Sequence, residues 1–213
     1  MTRASSNKAD CSIIALEKFI LATRDSGYKG TASAISELVD NAIQAGATDI
    51  SISIVTSGED KKDISVSVLD NGCGMDPFTL QQALRFGGST RFGDRGGLGR
   101  YGMGLPNASL SHSRRVTVYT WPLQRGGQSR RLGIRGKRTS PDRVYMSYLD
   151  IDEIVQGKLD EVPSPRVIKN PPAQCRGLSG TFVVWTQCDR LDYRRVSTIA
   201  RKLAPELGRR FRH

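Results

Sequence analysis

No run in this 213-residue sequence approaches the roughly 18 uncharged apolar residues that a membrane-spanning helix requires, and the most apolar early segment, Ile13 to Leu21, is interrupted by Glu17 and Lys18. Membrane insertion is therefore not expected, and the chain reads as unsecreted and cytoplasmic. Cysteine is sparse: Cys11, Cys73, Cys175 and Cys188 stand far apart with no C-x-x-C pair, which disfavours a zinc site and a disulfide framework and predicts free thiols. Histidine is scarcer still, with only His112 and His213, neither in a dimerisation-helix pattern, so phosphotransfer to histidine is a weak reading. His112 is expected to be an ordinary surface residue. What remains is enough for a core, since apolar residues make up 38% and charged residues 25%, and the length suits one domain or little more.

The net charge of +11 is unevenly distributed. Residues 1–90 hold 8 basic and 11 acidic side chains, whereas 91–138 hold 11 basic against Asp94 alone, and 190–213 hold 8 basic and 2 acidic. Of the 32 cations 23 are Arg, whose planar fork suits phosphate. Both basic stretches are compatible with a nucleic-acid partner or a nucleotide, and equally with a solvated Arg-rich surface. Arg91 and Arg100 are the cations expected on phosphate; Arg114, Arg115, Arg130 and Arg131 are expected to face solvent.

Periodicity predicts a helix capped by Thr31 or Ser33, with Ile35, Leu38, Val39, Ala42 and Ile43 on an apolar stripe and Glu37, Asp40, Asn41 and Gln44 opposite. Two alternating runs, Ile50–Ile54 and Ile64–Val68, predict an antiparallel hairpin with one buried face. Further strands are expected at 116–121, 144–149 and 181–186, with a shorter one near 132–135; helices are expected at 11–24, 77–86, 105–112 and 192–207, the last ending near Gly208. Small hydroxyls between the apolar strand residues argue for helices on one face only. The fold class is thus α+β, a two-layer sandwich with a mixed, mostly antiparallel sheet. The proline-bearing stretch 157–180 reads as a surface connection. Trp121 and Trp185 are core candidates.

Three motifs carry chemistry. In Glu37-x-x-Asp40-Asn41-Ala42, a carboxylate and an amide one helical turn apart could activate water and give a hard oxygen to Mg2+, although a solvated polar face is the ordinary reading of such a segment. In Asp70-Asn71-Gly72-Cys73-Gly74-Met75, a strand-end carboxylate could accept a hydrogen bond from an exocyclic amine such as that of adenine, with Met75 against the ring; a plain turn is the alternative, and Cys73 is assigned to packing. The glycines from Gly96 to Gly104, followed by an apolar helix, could turn backbone N–H groups toward phosphates. The spacing matches neither the P-loop nor the dinucleotide fingerprint.

In order and spacing, E-x-x-D-N-A, D-N-G-C-G-M, G-L-G-R-Y-G-M-G-L and the late Gly180-Thr181 resemble the four boxes of the GHKL ATPases, which include gyrase B, the large heat-shock chaperones, MutL, the sensor histidine kinases and MORC proteins. The resemblance spans about residues 31–187, and the run from Arg85 to Arg91 leading into Arg100-Tyr101-Gly102-Met103-Gly104 is most similar to MORC-type proteins. It implies a Bergerat ATP-binding fold with an N-terminal helix and dimerisation segment at 1–30, an ATP-binding domain at 31–187 with a lid over about 87–104, and a basic C-terminal helix at 188–213 that leads toward a second domain. It further implies Glu37 as general base, Asn41 as Mg2+ ligand and Asp70 as the adenine-reading carboxylate. Ala45, Gly74, Met75 and Thr181 would line the adenine pocket; Gly88, Ser89, Gly99, Arg100, Tyr101, Gly102, Met103, Gly104 and Leu105 would follow the nucleotide. The expected function is a Mg-ATP-dependent ATPase module whose lid closure drives conformational change or homodimerisation. Turnover is expected to be slow, because the lysine that a following transducer domain supplies in many members is not in this chain. A nucleotide-gated nucleic-acid-binding module with little hydrolysis is the alternative.

Overall fold

The computed structural model describes residues 15–57, 63–87, 104–123 and 141–212. Along the chain run α1 (Leu16–Ser26), α2 (Thr31–Gln44), β1 (Ile50–Ser57), β2 (Asp63–Asp70), α3 (Pro77–Leu84), α4 (Gly104–His112), β3 (Arg115–Trp121), β4 (Tyr145–Asp150), α5 (Ile151–Val155), β5 (Arg166–Val167), β6 (Gly180–Thr186) and α6 (Val196–Arg210). The six strands form one sheet in the order β1-β2-β6-β3-β4-β5, and every pairing among the described residues is antiparallel. The α+β two-layer expectation holds. The strand expected near 132–135 lies outside the described residues.

Alternation decides the two faces. Val66 and Val68 of β2, Val116 and Val118 of β3, and Val183 and Trp185 of β6 point to the helical layer and join Ile35, Leu38, Leu80, Leu84, Ala108 and Leu110 in one core. Ser51, Ser53 and Ser67 fall on the opposite face, as a one-sided sheet requires. That face is not wholly open. Trp121 and Phe182, out of phase with the valines, meet Val144 and Cys175 in a second, smaller cluster. The 157–180 stretch is therefore more than a surface connection: it adds β5 at the sheet edge and sends Cys175 into this second cluster.

Several local expectations are corrected. Neither Thr31 nor Ser33 caps α2; the N-cap is Gly30, and Asp192, 161 residues away, takes the N–H of Thr31 (2.9 Å) while its own N–H donates to Thr31 Oγ1 (3.0 Å). Asp192 thus serves α2, and α6 begins later, at Val196, then runs through Gly208 to Arg210. The apolar stripe ends at Ala42, leaving Ile43 in the last turn half exposed. A short helix not visible in the periodicity, α5, follows β4 because Asp150 turns the chain: its carboxylate accepts from the N–H groups of Asp152 and Glu153.

Arg114 and Arg115 do not face open solvent. Arg114 is ion-paired to Asp152 and Asp189, and Arg115 to Asp150 at 2.9 Å while lying over the Tyr148 ring. Arg24, almost fully buried, pairs with Asp189 and donates from Nε to the carbonyl of Leu110. This network ties α1 and the chain after β6 to the C-terminal end of α4.

His112 belongs to the interior, not the surface. It is 2% exposed, stacks on Trp185 at 6.2 Å between centroids, and its Nδ1 lies 2.8 Å from Ser111 Oγ. Polarity alone misplaces it, because the ring spends its apolar face on the indole. Burial holds its pKa below the ordinary value of 6.5. The sign follows directly: above that value both folded and unfolded states carry a neutral ring, whereas below it the unfolded chain takes up a proton that the folded one refuses. Stability should therefore fall as pH drops below about 6.5, by up to about 1.4 kcal/mol per pH unit from this group. Thermal melts between pH 7.5 and 5.5 check this, and a His112→Gln protein should show the shallower dependence.

Candidate functional site

The polar residues of α2 are not a solvated face. Glu37 and Asp40 are each 8% exposed. Thr31, Ala32 and the unbroken run Ala34 through Asp40 are buried, interrupted only by the exposed Ser33. Most of the helix is enclosed, with Ser33, Ile43 and Gln44 left exposed, so its buried carboxylates need specific neighbours. For Asp40 the neighbour is Arg210, which reaches back from α6 to 2.6 Å. For Glu37 it is the start of α4: a Cβ on Gly104 would overlap Glu37 Oε1. Any larger residue there would force the Glu37 carboxylate to move.

The second carboxylate of interest, Asp70, ends β2 and is also buried. In the sheet it stands in one row with Thr181 of β6 and Thr120 of β3. Thr120 Oγ1 accepts from the Met75 N–H at 2.8 Å and donates to the Gly180 carbonyl at 3.1 Å, fixing the turn that follows β2. Asp70 Oδ1 accepts from the Gly72 N–H at 2.8 Å. Burial pushes the Asp70 carboxyl above its ordinary range, opposed by the backbone N–H groups of Gly72 and Thr181. A buried carboxylate retained at this cost is suited to reading a donor on a ligand.

The 70–75 turn is clamped to the end of α2. Cys73 N–H donates to the Ala45 carbonyl (2.9 Å), and Asn71 Oδ1 accepts from the N–H groups of Thr48 (2.9 Å) and Asp49 (3.0 Å). Cys73 itself is exposed, so it contributes backbone and not the packing expected of its side chain. A Cβ on Gly72 would lie 2.8 Å from the Ala45 Cβ and 2.9 Å from Asp70 Oδ1, covering the carboxylate. Gly74 adopts φ +68°, and a Cβ there would lie 2.5 Å from the Trp121 carbonyl oxygen, so the position is closed to other residues by both conformation and space.

Glu37, Asn41, Ala45, Asp70, Gly74, Met75, Thr181, Gly104 and Leu105 therefore fall on four elements joined by these contacts: α2, the turn after β2, the start of β6 and the start of α4. Met75 and Leu105 are half-buried against the main core, and Asn41, also half-buried, follows Asp40 on α2. Gly88, Ser89, Gly99, Arg100, Tyr101, Gly102 and Met103, with Arg91, Arg130, Arg131 and most of the expected lid, lie outside the described residues. Within the two basic stretches, Arg114, Arg115, Arg190 and Arg210 are spent on internal ion pairs.

One residue absent from the sequence reading joins the group. Tyr28, half-buried in the turn between α1 and α2, has its hydroxyl pKa raised by burial first and then by the negative charge of Glu37. A cavity of about 600 Å³ lies elsewhere, lined by Leu16, Phe19, Leu84, Phe86, Ile154 and Leu159, and contains none of these polar residues. Among the described residues no cluster of three or more His, Cys, Asp or Glu could hold a metal ion, and no helix is long and apolar enough to cross a membrane.

Comparison with known proteins is consistent with this geometry. Residues 28–147 match the family described as histidine kinase-, DNA gyrase B-, and HSP90-like ATPase. The human ATPase MORC2 is 32% identical over 47% of this chain and 10% of its own length. The DNA mismatch repair protein MutL of Streptococcus thermophilus is 38% identical over 41% of this chain and 14% of its own. Protein MICRORCHIDIA 5 of Arabidopsis thaliana is 27% identical over 57% of this chain and 16% of its own. The chain thus spans a small fraction of these relatives.

Proposed function

Because this chain belongs to the histidine kinase-, DNA gyrase B- and HSP90-like ATPase family, whose model covers 28–147, we propose that it binds Mg-ATP between α2, the turn after β2 and the start of α4, and hydrolyses it. The observation that carries the reading is that α2 holds a buried Glu37 against Gly104, while the Ala45 carbonyl just past its end binds the Cys73 N–H of the turn that follows the buried, strand-end Asp70. Glu37 and Ala45 are eight residues apart on α2, about 12 Å along the axis, which accommodates a purine at one end and a triphosphate at the other.

Each residue then has a task. Asp70 accepts from the adenine amine, held in place by Gly72, Thr181 and the Thr120 clamp. Asn41 offers a single amide oxygen to Mg2+, which suits an ion that keeps waters and phosphate oxygens as its other ligands and needs no cage of carboxylates. Bound Mg2+ would neutralise phosphate charge. Glu37 takes a proton from the attacking water, its carboxylate shielded from bulk solvent by α4. Closure of the lid on ATP, ATP-dependent pairing of two copies and slow turnover complete the proposal.

Calorimetric titration with Mg2+ and a non-hydrolysable ATP analogue tests it. The parent should bind, and Asp70→Asn should weaken binding by about 10- to 100-fold, the cost of mispairing one buried hydrogen-bonding group. The substituted protein should keep its fold, since the charge it loses is one that burial disfavours. Failure of the parent to bind would overturn the proposal.

A further inference from the structure

A helix that packs through aliphatic side chains is only loosely held against rolling about its own axis, because such contacts have no direction. On α2 a roll has consequences. Side-chain atoms ride about 5 to 6 Å from a helix axis, so a roll of about ten degrees carries them through about 1 Å, and Mg2+ accepts little departure from octahedral geometry. Directional contacts hold α2 at three places. Its first residue, Thr31, exchanges two hydrogen bonds with Asp192 (2.9 and 3.0 Å), and the Ala45 carbonyl past its end takes the Cys73 N–H at 2.9 Å. Between them, Arg210 Nη2 donates to Asp40 Oδ2 at 2.6 Å.

The middle contact is the one beside the chemistry. Asp40 directly precedes Asn41 and lies one turn after Glu37. Its side chain is 11% exposed, and a carboxylate buried to that degree requires a partner. Arg210 reaches it from the last turn of α6, a helix seated by buried Ile199 and Leu203, with Leu207 and the following Phe211 against the main core. The cation therefore comes from a fixed direction. Asp192 belongs to the segment that leads from β6 into α6, so one stretch of chain grips α2 at its start and again at Asp40.

We infer that Arg210 is a positioning residue for the nucleotide site: by holding Asp40 it sets the roll of α2, and with it the aim of the Asn41 amide at Mg2+ and of the Glu37 carboxylate at the attacking water. The inference rests on the ATPase reading above. Without the cation, Asp40 would turn toward solvent for its hydrogen bonds and the helix would turn with it. Arg210 stands 170 residues from Asp40, so motif spacing does not reveal it.

The test is calorimetric titration of the full chain with ADP, over a range of Mg2+ concentrations and in EDTA, beside steady-state hydrolysis of Mg-ATP. In the parent, Mg2+ should tighten ADP binding. Arg210→Gln should bind ADP in EDTA within about twofold of the parent, an energy difference of about 0.4 kcal/mol, because the bonds around Asp70 are untouched. It should need about 10- to 100-fold more Mg2+ to reach the tightened state, the usual cost of losing a group that orients a metal ligand, and its kcat should fall by about 10- to 100-fold, as for a reacting group moved by about 1 Å. Arg210→Lys should recover most of both losses, since the pair uses one Nη2 contact and a lysine can supply one. Asp40→Asn should match Arg210→Gln, and the double variant should lose no more than either alone. If Arg210→Gln fails to fold, Asp40→Asn carries the same expectations, because it removes the charge that needs a partner. A parental Mg2+ requirement and kcat in the folded variants would overturn the inference, as would ADP binding by the parent that ignores Mg2+. So would failure of Arg210→Lys to recover either loss. Weaker ADP binding in EDTA confined to the Arg210 variants would also overturn it, since the guanidinium would then touch phosphate itself. A parent that binds no ADP at all would instead remove the ATPase reading on which the inference stands.

Discussion

Replacing Glu37 by alanine should leave Mg-ATP binding intact and lower turnover by about 10²- to 10⁴-fold, the usual contribution of a positioned general base. One neighbour makes this a sharp test: Glu37 is buried and its Oε1 lies against Gly104, which places the carboxylate at the start of α4. Adenine recognition is assigned to Asp70, at the other end of the site, and truncation at position 37 leaves untouched the Gly72 N–H bond to Asp70 and the Thr120 bonds that fix the turn after it. Phosphate release followed beside analogue affinity reads the two ends separately. Hydrolysis at the parental rate with normal binding would remove Glu37 from its role and require another base. Gly104 offers a complementary reading: an added methyl would overlap Oε1 and force the carboxylate to move. Its effect on kcat should resemble that of losing the carboxylate.

How much of this could be read from residues alone depends on how local the causes are. The β1–β2 hairpin was legible because serines alternate with isoleucine and valine, and a one-residue slip would turn every apolar side chain outward. The extent of α2 was legible from its own apolar period, and with it the placing of Glu37 on that helix and of Asp70 at the end of β2. Its N-cap was not, because Asp192 reaches it from across the fold. α5 rests on one aspartate turning the chain after β4, a signal too short for periodicity. His112 and Arg114 were placed wrongly for a common reason: polarity predicts exposure only until a specific partner is supplied, here the Trp185 indole and the Asp152 and Asp189 carboxylates.

The other large effect lies in the core behind the site. Trp185→Ala should destabilise the fold by about 3 to 5 kcal/mol, the range for emptying a buried aromatic position. The indole is fully buried, its register partners on either side are Val66 and Val116, His112 stacks on it, and its Nε1–H donates to Ser109 Oγ at 2.8 Å. Ser109 and His112 both belong to α4, so the lost contacts are those that seat α4 on the sheet. Against a typical domain stability of about 5 to 15 kcal/mol, such a loss is a large fraction. Chemical denaturation of the parent, Trp185→Phe and Trp185→Ala checks the ordering. The phenylalanine variant should lose less, since it keeps most of the packing and forfeits the bond to Ser109. Because α4 also carries Gly104 against Glu37 at its other end, the alanine variant should hydrolyse ATP more slowly even under conditions where it remains folded. A stability loss below about 1 kcal/mol would mean that neighbouring side chains close over the vacated space, and the sheet-to-α4 seat would then not depend on this indole.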